Sequence, residues 1–172
     1  FHQLAAYFGQ VENSVLGIRD REALEYRYQY LEAGESGIIV PQVPFLDSLA
    51  EGRGSRRQQL AHWVTHRENR PFARTAVNRT WAILFGRPLV EPMDDISLQG
   101  PYPPGLELLA TDFIEHGFDL RRLVRVISSL RVFRMDSRAE FEVAKQHEQN
   151  WAVFPLTRLR PEQVAGGISQ SA

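Results

Sequence analysis

A cluster of polar residues on one predicted helix, with two acidic residues in the loop after it, is the set best suited to chemistry. Asn78 and Arg79 stand where an amphipathic helix usually carries alanine or leucine, Arg74 lies one turn earlier, and Asp94 and Asp95 lie in the loop. In such a set, arginines hold an anion, the asparagine orients it, and a carboxylate acts as a base. The cluster therefore predicts a polar site.

The same residues also fit a structural clamp. Arg79 can pin the loop by pairing with Asp94 or Asp95, while Asn78 bonds loop backbone that would otherwise be buried without partners. A proline-rich loop needs such anchors, and the sequence offers no identifiable nucleophile for a hydrolytic reaction. We therefore favour the clamp, predict no catalytic residue, and add Arg131 to the candidate set.

His62 and His66 are weak candidates for a metal site. They are four residues apart on one predicted helix, so their imidazoles share a face, and Glu68 follows two residues later. Two ligands on one turn do not complete a site without a third. The favoured alternative is a pair of exposed histidines flanking a buried Trp63, and no metal is predicted.

The densest basic region follows further along the chain. A helical basic face binds phosphate backbones or acidic polysaccharide, but Phe133 is the one aromatic residue there that offers stacking. The alternatives are a solvated face paired locally with Glu115, Asp119 or Asp136, and a surface for a protein partner. The basic residues concerned are Arg121, Arg122, Arg125, Arg131, Arg134 and Arg138.

Composition narrows the class of protein. A chain of 172 residues suits one domain with an appended segment. The net charge of -1 gives no general attraction to nucleic acid, so no nucleic-acid partner is expected. The lack of cysteine excludes disulfides and covalent haem attachment within this chain, and we predict no cofactor in it. No apolar stretch approaches the roughly 18 residues of a membrane span.

The N-terminal segment, residues 1–54, carries the signals of a small and partly β structure. Tyrosines alternate along residues 24–31, which is typical of a strand, although a helix over 21–31 is the competing interpretation. Residues 33–37 would connect this strand to a second one at 37–40. The alternating residues are Tyr26, Tyr28 and Tyr30.

Two further features complete this segment. Leu4, Ala5 and Phe8 are expected to line one face of a short first helix that ends at Gly9. Prolines and glycines from Pro41 to Gly54 indicate a linker that crosses the surface. We expect residues 1–54 to be an N-terminal segment that ends in this linker.

From Ser55 onward the sequence predicts helices. The first has Ser55 as its N-cap, the second follows Asn69 and stops at Gly86, and a loop with five prolines then extends to Pro104. Further helices are predicted over 105–116, from the cap Asp119 to residue 130, in part over 138–151, and from 160 onward. The predicted core comprises Trp63, Phe72, Trp81, Leu84, Leu109, Phe113, Leu123 and Ile127.

A family resemblance appears in the second of these helices. The chain is similar, from about Arg56 to its end, to a planctomycete-type domain of unknown function, the fifteen-fifty-three family. The signature consists of Phe72-Ala73-Arg74, Val77-Asn78-Arg79, Trp81 and Phe85-Gly86-Arg87. Further matches are Asp94-Asp95, Leu108-Leu109, Asp112-Phe113, Gly117-Phe118-Asp119-Leu120, Ser129-Leu130-Arg131 and Leu159-Arg160-Pro161-Glu162.

The resemblance implies a context rather than a reaction. It implies an exported protein of the periplasm or cell envelope, of which this chain is the C-terminal helical part. It also implies haem c in a neighbouring upstream domain. Residues 1–54 would then be the tail of a preceding domain plus a linker, with residues 1–8 resembling the end of the companion domain that precedes this one in such proteins. The partners it implies are other domains of the same polypeptide or an envelope protein.

These observations lead to one overall prediction. The fold is mainly α, with five to six helices in residues 55–172, a domain expected to be truncated at its C-terminus. The favoured function is a non-catalytic structural or interaction module of a multidomain, cytochrome-associated envelope protein. One alternative is an envelope enzyme or binding unit for anionic polysaccharide that uses the Arg74, Asn78, Arg79, Asp94 and Asp95 cluster. Another is an electron-transfer surface that docks the upstream haem domain.

Overall fold

The computed structural model describes residues 1–15, 17–29, 36–156 and 161–171 and is mainly α-helical, as predicted. The chain forms two compact units, Phe1–Asn69 and Arg70–Ala172. The domain boundary at 54/55 stays a prediction, because compact packing does not establish independent folding. Within the described ranges, each helix is too short or too polar to cross a bilayer.

The first unit begins with a short helix and continues with two antiparallel hairpins. The predicted second hairpin is confirmed, although Tyr30 and most of its connection lie outside the described residues, and the competing helix is wrong. The first hairpin was not predicted. The elements are α1 (His2–Ala5), a 3₁₀ helix (Ala6–Phe8), the pair β1 (Val11–Ser14) and β2 (Gly17–Asp20), and the pair β3 (Arg27–Gln29) and β4 (Ser36–Ile38).

The first helix buries a different face from the predicted one. Ala6 and Tyr7 are buried, whereas Leu4 and Phe8 are exposed. The reason is that the chain tightens into a 3₁₀ turn at Ala6, which changes the residue spacing from about 3.6 to about 3.0 per turn. The apolar face predicted from α-helical spacing is therefore not the buried one.

The segment between the hairpins and α2 (Arg56–Val64) is more than a surface linker. Val43 and Ala50 are buried with Tyr7 and Trp63 in one hydrophobic cluster. The Trp63 indole Nε1–H donates to the carbonyl oxygen of Phe45 at 2.8 Å, which satisfies the one polar group of that side chain. This segment therefore supplies part of the core of the first unit.

The second unit is built from the helices that the sequence predicted with good boundaries. Gly86 ends the first of them with a φ of 74°, and Asp119 accepts hydrogen bonds from two backbone N–H groups at the start of another. The helix predicted over 138–151 is confined to a single turn. The elements are α3 (Arg70–Phe85), α4 (Pro104–Glu115), α5 (Leu120–Ser129), a 3₁₀ helix (Arg131–Arg134), α6 (Lys145–Gln149) and α7 (Pro161–Ser171).

Helices α3, α4 and α5 share one hydrophobic core. The predicted residues Trp81, Leu109, Phe113, Leu123 and Ile127 are buried in it, and Phe72 and Leu84 pack against it in a partly buried state. Trp63 is buried as predicted but belongs to the cluster of the first unit. Leu120 and Val124 of α5 are exposed at 50% and 39% because they lie at the margin of the buried face.

Candidate polar site on α3 and its loop

Asn78 lies on the buried face of α3 and contacts the loop that follows the helix. Its side chain is fully buried. Its Nδ2 donates to the carbonyl oxygen of Val90 at 2.9 Å, and the Val90 N–H donates to its Oδ1 at 3.0 Å. One amide thus satisfies both backbone polar groups of one loop residue, which is the arrangement that a loop clamp requires.

Arg79 and Asp94 form an ion pair at the surface. The Arg79 guanidinium contacts the Asp94 carboxylate, and the two side chains are 56% and 66% exposed. Exposed pairs contribute only about 0–1 kcal/mol to stability because water and salt screen them. This pair therefore links helix and loop but holds them far less tightly than Asn78 does.

Arg74 contacts Glu107 of α4 rather than an acidic residue of the loop. The Arg74 side chain is 13% exposed and contacts both carboxylate oxygens of Glu107. Arg70, one turn earlier, donates to the same carboxylate at 3.0 Å. The Arg74 guanidinium also lies 4.0 Å from the ring centroid of Tyr102, a cation–π contact. The guanidinium of Arg74 is therefore paired with Glu107 at its edge, and one flat side of it lies over the Tyr102 ring.

Glu107 was not among the predicted site residues, although it joins α4 to α3. Hydrogen bonds from Arg74, opposed by partial burial and assisted by Arg70, hold the pKa of Glu107 below its usual range. The available signal was the i, i+4 spacing of Arg70 and Arg74, which places both guanidinium groups on one helix face. That spacing does not reveal which helix supplies the acid.

A small cavity of about 230 Å³ lies beside the cluster. Asp94, Asp95, Arg74 and Tyr102 contribute to its lining. Arg74 is held by Glu107, a carboxylate that it shares with Arg70, and Asp95 has no ion-pair partner among the described residues. Arg70, Arg74 and Arg79 thus balance Glu107, Asp94 and Asp95, and the cluster has no excess positive charge to attract an anionic ligand. The volume is also below the roughly 300–1,000 Å³ of typical ligand pockets.

The remaining candidates do not join this cluster. Arg131 is exposed in the 3₁₀ helix after α5 and does not line the cavity. The rings of His62 and His66 lie 5.2 Å apart beside a buried Trp63, in the first unit. In the part of the chain that the structure describes, no group of three or more His, Cys, Asp or Glu residues is arranged to hold a metal ion.

The basic face of α5 is paired in part, with a partner that was not predicted. Arg122 donates to Asp112 of α4 at 2.8 Å and 3.2 Å. These hydrogen bonds hold the pKa of Asp112 below its usual range, against the opposing effect of burial. Asp119, which was expected to pair with an arginine side chain, accepts the backbone N–H groups of Arg121 and Arg122 instead.

The paired Glu107 predicts a specific dependence of stability on pH. A depressed folded-state pKa stabilises the fold above the pKa of a free glutamate, about 4.3, and this contribution disappears as pH falls through the folded value. We expect Glu107→Gln to lower the unfolding free energy by about 1 kcal/mol near pH 7, a value limited by partial exposure, and by less at pH 3, where more of the folded-state carboxyl is protonated.

Urea unfolding of parent and variant at pH 3, 5 and 7 measures this dependence. The matched control is Glu115→Gln, an exposed carboxylate on α4 without an ion pair among the described residues. We expect the control to follow the parent at every pH. An equal difference between Glu107→Gln and the parent at pH 3 and pH 7 would contradict the assignment.

Comparison with known proteins identifies a family. A family model described as PSD1: protein of unknown function (DUF1553) matches residues 56–171, more than half of the chain. No curated protein and no solved structure matches the chain. The matched range contains the hydrogen bonds between Asn78 and Val90, the ion pairs of Glu107 and Asp112, and the whole core of the second unit.

Proposed function

Because the chain belongs to this family of proteins of unknown function, we propose that it is a non-catalytic structural or interaction module. We place it in a multidomain, cytochrome-associated protein of the cell envelope, with haem c in an upstream domain rather than in this chain. Its partners are other domains of the same polypeptide or an envelope protein.

The observation that carries the non-catalytic part of this proposal is the engagement of the polar cluster. Both the Nδ2 and the Oδ1 of Asn78 are hydrogen-bonded to the backbone of Val90. Arg74 is held by Glu107, and Arg79 pairs with Asp94. Asp95 is left as a lone exposed carboxylate, and acid–base chemistry needs a positioned partner within hydrogen-bond reach. The cluster therefore supports a clamp that shapes the loop after α3.

Exposed apolar side chains on the first helical segment support an interaction role. Phe1, Leu4 and Phe8 follow one another at roughly helical spacing and are 94%, 37% and 55% exposed. Adjacent exposed apolar residues mark surfaces that bind other proteins or domains. Such a surface is what docking to an upstream haem domain would use.

The polysaccharide-binding alternative gains less support. It requires free cationic groups around the cavity beside α3, and the guanidinium groups of Arg74 and Arg79 are already held by Glu107 and Asp94. An anionic sugar would also meet the exposed carboxylate of Asp95 in the cavity lining, with no excess positive charge in the cluster to offset it. The charge of the cavity therefore favours the interaction module over this function.

Site-specific photocrosslinking in the full-length polypeptide tests the proposal. We expect p-benzoylphenylalanine in place of Phe8 to crosslink to another domain of the polypeptide or to an envelope protein, with the sites identified by mass spectrometry. Val15 is the matched control position. It is apolar like Phe8 and even more exposed, but it lies in the turn after β1. Crosslinking at Val15 should be several-fold weaker.

Two outcomes would contradict the interaction surface. The first is equal crosslinking at positions 8 and 15, which would indicate random collisions. The second is crosslinking at position 8 only to residues within this chain. A haem-containing crosslinked partner, identified by its absorbance, would support the cytochrome association in particular.

A further inference from the structure

A cavity of about 400 Å³ lies in the first unit, within the size range of sites for small molecules. It is formed by the first helical segment, the segment 41–52 and α2, and almost all of it precedes the family match that begins at residue 56. Tyr7, Asp47 and Glu51 provide its distinctive polar groups. None of them belongs to the polar cluster on α3, so this site is independent of the proposed function.

Tyr7 is the residue that points to a ligand. Its side chain is only 4% exposed, yet its hydroxyl makes no hydrogen bond to the described residues. The hydroxyl keeps some contact with solvent, and Tyr7 lines the cavity. Burial, and after it the nearby Asp47 carboxylate, raise the pKa of Tyr7, so the phenol stays protonated. The hydroxyl is therefore open to water in the free protein, and a ligand in the cavity can take the place of that water.

The acidic residues of the cavity define the charge of that partner. Asp47 and Glu51 line the cavity and pair with no arginine, lysine or histidine of the described ranges. Two carboxylates and a hydroxyl oxygen are acceptors, which matches the three N–H donors of an ammonium group. Such charge-assisted hydrogen bonds are about twice as strong as neutral ones.

The rest of the lining defines the body of the ligand. Pro41, Val43 and Ala50 provide apolar surface next to the acceptors. The nearby amides are partly used: Gln42 accepts a hydrogen bond from Gln3 at 2.6 Å. A metal ion fits less well, because the described residues contain no group of three His, Cys, Asp or Glu suited to one. The lining therefore suits a short aliphatic chain that ends in an ammonium group.

We propose that this cavity binds a primary ammonium on a short aliphatic chain, with Asp47, Glu51 and the Tyr7 hydroxyl as its acceptors. The aliphatic part lies against Val43 and Ala50. Two sources supply this chemistry, a free alkylamine and the lysine side chain of a peptide. They share the charged end and differ in whether a peptide backbone is attached at the other end.

Isothermal titration of the whole chain at low ionic strength tests the proposal with defined probes. The probes are 1,5-diaminopentane for a free amine, Nα-acetyl-lysine-N-methylamide for a lysine side chain, and 1-pentanol as the uncharged analogue. We expect at least one amine to bind and 1-pentanol not to bind. A preference between the two amines identifies the source.

Variants assign the binding to this cavity. Tyr7→Phe removes only the hydroxyl, and we expect it to weaken amine binding about tenfold, the effect of one hydrogen bond to a charged group. Glu51→Gln, at an exposed position with no packing role in the core, should weaken it by a similar factor. The matched control is Glu68→Gln, an exposed acidic residue of the same unit that does not line the cavity, and it should bind as the parent does.

Three results would overturn the proposal. The first is that neither amine binds to the parent chain. The second is that 1-pentanol binds as well as the amines, which would show that charge is irrelevant. The third is that Tyr7→Phe and Glu51→Gln both bind like Glu68→Gln, which would place the amine elsewhere. Failure of the crosslinking at Phe8 would leave this result unaffected, because the two sites use different residues.

Discussion

Replacing Phe85 with alanine should lower the unfolding free energy of the chain by about 3–5 kcal/mol, the usual cost of deleting a fully buried aromatic ring. Phe85 is completely buried at the C-terminal end of α3. Its ring stacks on Trp81 with centroids 4.2 Å apart and contacts Trp151 and Phe154 at 5.2 Å and 5.4 Å. Alanine would leave a cavity among rings that cannot all collapse into it.

Urea unfolding followed by circular dichroism measures this loss, and Ile83→Ala is its matched control. Ile83 lies two residues earlier on the same helix and is 65% exposed. Its replacement removes a comparable apolar side chain from the surface, so we expect a change within about 0.5 kcal/mol. A loss below 1 kcal/mol in Phe85→Ala would show that the aromatic cluster contributes little to the fold.

The helices of the second unit were predictable because their ends carry local signals. Asp119 caps α5 through its own side chain, and Gly86 provides the left-handed residue after α3. Such signals act within a few residues and are readable in the sequence. Amphipathic spacing likewise placed Trp81 on the buried face of α3.

The rings and ion pairs that join distant parts of the chain were not predictable. Phe85 was absent from the predicted core, because the residues that enclose it, Trp151 and Phe154, lie more than sixty positions later. Glu107 and Asp112 were likewise not recognised as the partners of Arg74 and Arg122. Helical periodicity identifies the face of a residue but not the element that covers it.

The missed hairpin of β1 and β2 illustrates a different limit. Its strands bury little, and every residue of Gly17–Asp20 is exposed, so no alternation of apolar and polar residues marks it. Backbone pairing holds it together, and Arg21, just after β2, forms an ion pair with Glu12 of β1 at 2.9 Å. A strand without a buried face leaves almost no signal in the sequence.

The contacts between α3 and the loop after it were predicted, but their relative burial was not. Asn78 was expected to bond loop backbone and Arg79 to pair with Asp94 or Asp95, and the structure places both contacts. Burial ranks them, since Asn78 is fully buried whereas the ion pair is more than half exposed. Asn78 is therefore the residue whose removal distinguishes a structural clamp from a ligand site.

We accordingly expect Asn78→Ala to lower the unfolding free energy by about 2–4 kcal/mol, because it removes two hydrogen bonds and leaves the Val90 N–H and carbonyl without their partner. Thermal and urea unfolding measure the loss. The loop should also loosen, which hydrogen exchange at the Val90 amide reports directly, since that N–H is bonded only to Oδ1 of Asn78 among the described contacts.

Arg79→Ala is the matched control, because it alters the adjacent residue and the same loop at the surface. The exposed pair with Asp94 predicts a loss within about 1 kcal/mol and little change in exchange at Val90. The decisive comparison is which of the two variants loses more unfolding free energy. If Arg79→Ala costs as much as Asn78→Ala, the loop is held by charge rather than by the buried amide. If neither variant destabilises the chain, the residues do not form a clamp, and the cavity lined by Asp94 and Asp95 becomes the first place to search for a ligand.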